Sequence, residues 1–512
     1  MNGAESLVHT LIKSGVKVCF ANPGTSEMHF VAALDRIPGM KCILGLQENV
    51  VTGMADGYGR IARKPAVTLL HCAAGFTNGV ANLLNARKAQ SPIVNVVGDQ
   101  ATYHGKFDPP LAADTEAFAR AASHWTRTSY EAAHVGRDAA AAVQAALSAP
   151  GQIATLILPS DASWGDGGEV ADALPVAREA SVDPQAITQA ARILREKKNV
   201  VVILGATALR VDAQLQAQRI AAKTGCRLVA NSINGFTQRG QGRLPLERIP
   251  YAADAAMEFL KGAEHIILVG SKGAVGFFAY PNKPSFHHPA GAEIHVLARI
   301  DQNAVEALTA LADEISAGGV DMPKSGPKPT VPNAIPSSET FGQMLAAVMP
   351  ENAIVADESI SFGGHFWTHS HAAAPHDWLM VTGGSIGYGM PCATGAAIAG
   401  SGRRVINPQA DGSAMYVIQS LWTQARENLP VTTVILNNRK YQILLGEYAS
   451  VGANPGRTAM DMLDLGNPEI DFVQMANAMG VEAVKAGSLV DCAQLMLASY
   501  KRPGPFLIEL MI

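Results

Sequence analysis

The sequence predicts an α/β protein built from three doubly wound parallel-sheet domains. Short apolar runs alternate with stretches of helical spacing along the whole chain. Two segments rich in Pro and Gly interrupt that alternation. Polar, glycine-bearing clusters follow directly on apolar runs, where parallel sheets present their binding edges.

A chain of 512 residues has room for roughly three domains. Residues 16–21, 66–70, 93–97 and 153–158 read as buried strands, with helical spacing at 79–88 and 139–147 between them. Residues 161–184, rich in Gly, Ala, Pro and acids, break the pattern. It resumes with strands at 200–204, 227–230, 266–269 and 294–297. Residues 318–338 carry Pro323, Pro327, Pro329, Pro332 and Pro336 and form a linker. Further strands are expected at 353–356, 404–406, 432–436 and 506–510. The domains are therefore set at 1–165, 184–318 and 339–512, with no short-period repeat among them.

Composition excludes several classes. Apolar residues make up 48% and charged residues 16%, so a large core is available. A net charge of -4 gives no electrostatic reason to expect nucleic acid or an anionic membrane surface. No apolar run is long enough to span a bilayer, and no basic stretch precedes an apolar one at the N-terminus. Six cysteines lack CxxC spacing and read as free thiols, mostly buried. A soluble cytoplasmic protein is expected.

The most informative stretch is Ala410-Asp411-Gly412-Ser413, followed by Asn437-Asn438. Each cluster ends an expected strand, and one helix and one strand separate them. Magnesium takes hard oxygen ligands and shares them with phosphates. Asp411 offers a carboxylate, Asn438 an amide oxygen and Lys440 a backbone carbonyl. Gly412 and Ser413 open a helical stretch over 414–426, where backbone N–H groups can meet a diphosphate.

This pattern resembles the thiamine-diphosphate enzymes, which carry Gly-Asp-Gly and then Asn-Asn. Ala410 departs from the first glycine, on the approach to the turn rather than at a ligand. Two further stretches resemble the family. Glu48, in Gly45-Leu46-Gln47-Glu48-Asn49 before Gly53-Met54-Ala55-Asp56-Gly57-Tyr58, matches the glutamate that hydrogen-bonds the pyrimidine ring and so activates the cofactor. Gly383-Gly384-Ser385-Ile386-Gly387-Tyr388-Gly389-Met390-Pro391 matches the segment under the cofactor. There the Gly384 carbonyl would accept from the pyrimidine amino group, and Ile386 would wedge the cofactor into its bent shape. The resemblance also implies that Ser361, Tyr441 and Ile443 contact the cofactor. It spans essentially the whole chain. It implies pyrimidine-binding, middle and diphosphate-binding domains, and a homodimer or homotetramer in which Glu48 of one copy meets Asp411 of another.

Within the family, several motifs are similar to benzoylformate decarboxylase. Asn22-Pro23-Gly24-Thr25-Ser26-Glu27 puts Thr25 at the active-site serine. Leu70-His71-Cys72-Ala73-Ala74-Gly75 puts His71 at a catalytic histidine, and Asp357-Glu358-Ser359 matches Asn-Glu-Ser. The second active-site histidine of that enzyme has no counterpart in Gly270-Ser271-Lys272-Gly273-Ala274-Val275-Gly276-Phe277-Phe278. Phe277 or Phe278 is expected in its place, with His287 and His288 displaced. Leu444 and Leu445 join Phe277 and Phe278 as candidates for an apolar substrate wall. The middle unit lacks a clear flavin fingerprint, so FAD is expected to be absent.

The expected activity is thiamine-diphosphate- and Mg2+-dependent decarboxylation of a small 2-oxo acid. Carboligation of the resulting enamine is a further outcome. An acetolactate synthase using pyruvate is the alternative enzyme, and a non-catalytic nucleotide- or flavin-binding subunit the alternative of another class.

Overall fold

The computed structural model describes residues 1–512 and contains three mostly parallel sheets with alternating helices. The first sheet holds β1 (Val18–Ala21), β2 (Lys41–Leu44), β3 (Ala66–Leu70), β4 (Ile93–Asp99), β5 (Trp125–Thr128) and β6 (Ile153–Pro159), in the order β2-β1-β3-β4-β6-β5. The middle sheet holds β7 (Val200–Leu204), β8 (Arg227–Ala230), β10 (Glu247–Arg248), β11 (His265–Val269) and β12 (Glu293–Ala298), in the order β10-β8-β7-β11-β12. The third holds β13 (Ala353–Asp357), β14 (His376–Met380), β15 (Val405–Ala410), β16 (Val431–Asn437), β17 (Glu482–Ala486) and β18 (Phe506–Met511).

The third sheet runs β17-β18-β16-β15-β13-β14. Counted from β13, this is the strand order of the first sheet. One strand from the middle segment, β9 (Thr237–Arg239), pairs antiparallel with β14 and extends the third sheet. Arg239 on that strand is buried and donates to the carbonyls of Trp367 and Leu246 and to Ser370 Oγ. The helical stretch expected over 414–426 is divided: Asp411–Ala414 and Ser420–Arg426 are helical, with a turn between them. No helix is long and apolar enough to cross a membrane.

The first and third units lock together through two helices. In the helix Glu48–Ala62 the Gln47 side chain caps the free N–H groups of Asn49 and Val50. Its buried face meets the helix Gly389–Ala399 at very close range. A Cβ on Gly57 would lie 2.1 Å from the Cys392 carbonyl oxygen, and one on Gly395 would lie 1.8 Å from that of Met54. Only glycine lets these backbones approach so closely. Arg60 then ties all three units: it pairs with buried Asp56 and donates to the carbonyls of Met380 (2.7 Å) and Gly235 (3.1 Å).

Candidate active site

Strand order reverses between β13 and β15, and doubly wound sheets bind ligands in the crevice at that switch point. Asp411 stands at the carboxyl end of β15, buried, at the start of the helix Asp411–Ala414. Its carboxylate accepts from the backbone N–H groups of Gly412 (2.8 Å), Asn438 (3.1 Å) and Arg439 (2.7 Å). Burial pushes its pKa up, and those N–H groups pull the other way. No Lys, Arg or His pairs with it. Asn438, after β16, turns its side-chain oxygen to the Lys440 N–H at 3.0 Å. A buried carboxylate without a cationic partner, beside an amide oxygen and a main-chain carbonyl, is a donor set that fits a hard divalent ion. Tyr441 lies over Gly412, where a Cβ would come within 2.5 Å of its ring. Ile443 is half-buried in the first turn of the helix Gln442–Val451, and the turn Ile360–Phe362 carrying Ser361 lies against that helix. Ile360 in that turn has φ +49°, a strained conformation for a β-branched residue.

The glycine loop is held from two sides. Buried Glu358, one residue past β13, accepts from the backbone N–H groups of Gly387 (2.8 Å), Tyr388 (3.0 Å) and Gly389 (2.7 Å). Gln409 Nε2 donates to Glu358 (2.8 Å) and to Ser413 Oγ (2.7 Å), so the loop is wired to the Asp411 helix. Burial raises the Glu358 pKa against these donors. From the first unit, Asn82 donates to the Gly387 carbonyl and Asn85 to that of Ser385. Gly384 is exposed with φ +79°, and a Cβ there would meet the Phe277 ring at 2.4 Å. Ile386 is half-buried beside it.

A second cluster of expected site residues stands at the equivalent switch point of the first sheet, between β1 and β3. His71 follows β3 and packs on Gly24, where a Cβ would lie 2.1 Å from its ring. Its Nδ1 lies 3.0 Å from Glu27 Oε1 and 3.1 Å from Ser26 Oγ. Glu27 is buried and also accepts from the Gly24 N–H at 2.7 Å. Cys72, with φ +51°, lies 3.4 Å from Ser26, and burial pushes its thiol up to about 11. Thr25 is exposed in this turn; its neighbour Ser26 makes the contact with His71. Glu48 is half-buried at its helix start, and Asn78 donates to it at 3.1 Å. A Cβ on Gly75 would lie 3.1 Å from Glu48 and 3.3 Å from His71, so both line one spot.

Two groups of expected site residues are thus assembled, one on each sheet. Asp411, Gly412, Ser413, Asn438, Lys440 and Tyr441 form the first, and Glu48, His71 and the Thr25 turn the second. The sequence had given no role to Glu27, Glu358, Gln409, Asn82 or Asn85. In the middle unit, Phe277 contacts Tyr251 and Phe278, with ring centroids 5.4 and 4.9 Å apart. His287, displaced in sequence, is buried and lines a small cavity with Tyr251 and Phe277. Tyr280 donates to Glu447 at 3.1 Å from the same side. A larger cavity of about 660 Å³ opens between the first and middle units, lined by Arg63, Arg87, Lys88, Arg210 and Lys272 with Glu179 the one carboxylate.

Twin switch points, a buried acid at a helix start and a pinned glycine loop form an arrangement able to hold a metal-bound diphosphate. Residues 1–122 match the N-terminal, and residues 362–510 the C-terminal, TPP binding domain of thiamine pyrophosphate enzymes. IlvX of Mycobacterium tuberculosis, which carries the name of an acetolactate synthase large subunit, is 46% identical over 100% of this chain and 99% of its own. Benzoylformate decarboxylase of Pseudomonas aeruginosa is 28% identical over 98% and 96%. Among solved structures, a thiamine diphosphate-dependent 4-hydroxybenzoylformate decarboxylase from Rhodococcus jostii superposes with a TM-score of 0.85 at 25% identity, covering 99% of this chain and 98% of that one. The chain belongs to the thiamine pyrophosphate enzyme family.

Proposed function

We propose that this chain, with thiamine diphosphate and Mg2+, decarboxylates a small 2-oxo acid, in a site completed between two copies. The observation that carries this is the buried Asp411 carboxylate, without a cationic side-chain partner, wired through Ser413, Gln409 and Glu358 to the glycine loop. Asp411, Asn438 and the Lys440 carbonyl would hold the metal, and Gly412 and Ser413 the diphosphate. When bound, the thiazolium supplies an electron sink for the pair released as carbon dioxide leaves.

The chain's own residues supply position and protons. Glu358 and Asn85 fix the loop on which the Gly384 carbonyl and Ile386 would orient the pyrimidine. Ser361, Tyr441 and Ile443 would flank the cofactor. The Glu48 carboxylate accepts one hydrogen bond, from Asn78 to Oε2, so Oε1 remains available to the pyrimidine ring held by a partner copy. Glu27 engages His71 Nδ1 and so leaves Nε2 to exchange protons with the substrate. The Thr25–Ser26 turn offers hydroxyls to a carboxylate. Phe277, Phe278, Leu444 and Leu445 form the apolar wall. FAD is not part of the proposal, so the purified protein should be colourless; a flavin spectrum would overturn that part.

Glu48→Gln should retain metal and diphosphate binding and lose 2-oxo acid turnover; full turnover in that variant would refute the assignment. A second reading, acetolactate synthesis from pyruvate, is favoured by the 46% identity to IlvX. Product analysis with pyruvate alone separates them: acetolactate supports carboligation, acetaldehyde simple decarboxylation.

A further inference from the structure

The middle sheet carries a second set of ligating side chains, remote from the strand ends that bear the cofactor site. β11 and β12 run parallel with His265 opposite Glu293 and Ile267 opposite His295. Residues two apart on a strand share a face, so Glu293 and His295 project together, beside His265. These residues begin their strands, whereas the cofactor-site residues follow theirs.

His265 Nδ1 lies 3.4 Å from His295 Nε2 and 3.5 Å from Glu293 Oε2, and His295 Nε2 lies 3.7 Å from the same carboxylate oxygen. A point equidistant from three atoms so separated lies about 2.0 Å from each, the length of Zn–N and Zn–O bonds. The two nitrogens face each other between rings whose centroids are 5.7 Å apart, so each imidazole must rotate modestly to aim at that point. Both imidazoles are largely buried, while Glu293 reaches solvent with 68% of its side chain exposed, leaving an entry path. Burial, then the neighbouring His265, holds the His295 pKa below its usual value; neutral imidazole is the ligating form. Arg192 is the cation facing the cluster and opposes an ion there.

The structure itself does not fix the tautomer. Gln189 Nε2, on the helix Pro184–Glu196, lies 3.3 Å from His295 Nδ1, so metal binding requires this amide to turn over. Its oxygen then accepts the Nδ1 proton and leaves Nε2 to the metal. We infer that His265, Glu293 and His295 form a binding site for one first-row divalent transition-metal ion of the zinc class, with solvent completing the coordination. Placed across the edge strand β12, the ion clamps it to β11; it takes no part in thiamine chemistry.

The test uses the full chain saturated with thiamine diphosphate and Mg2+, so that the Asp411 site is filled. ZnCl2 is titrated by calorimetry. The expected result is one Zn2+ per chain, with affinity at least about tenfold weaker in His295→Gln and Glu293→Gln and about tenfold weaker in Gln189→Leu. Asp411→Asn and Cys42→Ser should keep the site. Glu293→Gln alters an exposed side chain and guards against misfolding of the histidine variant. No saturable Zn2+ binding, or binding unchanged in both ligand variants, would overturn the inference.

Discussion

Replacing Glu358 with glutamine probes the link between fold and cofactor most sharply. The carboxylate accepts from three consecutive backbone N–H groups and from Gln409, all buried. A glutamine oxygen can serve about half of these donors, while its own NH2 is driven against the rest. Each buried donor left without an acceptor costs about 1–3 kcal/mol, so two of them predict a loss of about 4 kcal/mol. The damage falls on Gly387–Gly389 and hence on the loop carrying Gly384 and Ile386. Urea unfolding should register the destabilisation, and a thiamine diphosphate titration followed by tryptophan fluorescence should register at least about tenfold weaker binding. A variant within about 1 kcal/mol of the parent, with unchanged cofactor affinity, would refute the reasoning.

Gly384→Ala forces a side chain onto a φ of +79° and into the Phe277 ring; cofactor affinity should fall about tenfold, read by the same titration. Glu27→Gln removes the acid behind His71 and should lower kcat by about 10–100-fold with cofactor affinity kept and the pH–rate profile shifted. Gly395→Ala drives a methyl group against the Met54 carbonyl and should cost about 3 kcal/mol in urea unfolding. His376 is buried, its pKa pushed down to about 4 from the ordinary 6.5, chiefly by burial. The unfolded chain therefore binds more protons between those values. This contribution to stability is complete above pH 6.5 and is lost as pH falls toward 4, by about 3 kcal/mol. Urea midpoints from pH 7 to 4.5 should decline in the parent and less steeply in His376→Gln.

The parts of the site that sequence revealed are those encoded by contiguous residues. Asp411 and Asn438 end consecutive parallel strands, so their meeting follows from spacing and apolar runs alone. The Gly383–Pro391 stretch reads as a loop entering a helix, as it is. What escaped notice depends on contacts across long separations. Glu27 meets His71 across 44 residues, and nothing local distinguishes it from any turn carboxylate. Glu358 stood in a recognised motif, but its partners lie about thirty residues on, in a loop whose N–H groups only the fold aims at it. β9 is three residues long and joins a sheet whose other strands are far along the chain, so periodicity cannot reveal it. The shared strand order of the first and third sheets was equally hidden, because equal topology needs no equal sequence.

The central claim is that Asp411 and Glu48 serve one thiamine-dependent centre. Carbon dioxide release from a panel of 2-oxo acids should be measured with and without thiamine diphosphate and Mg2+, in the parent, Asp411→Ala and Glu48→Gln, and in an equimolar mixture of the two variants. The account predicts cofactor-dependent release in the parent and none in either variant alone. It predicts partial recovery in the mixture, where one interface pairs an intact Glu48 with an intact Asp411. Turnover in Glu48→Gln alone, or no cofactor-dependent release from any 2-oxo acid by the parent, would contradict it.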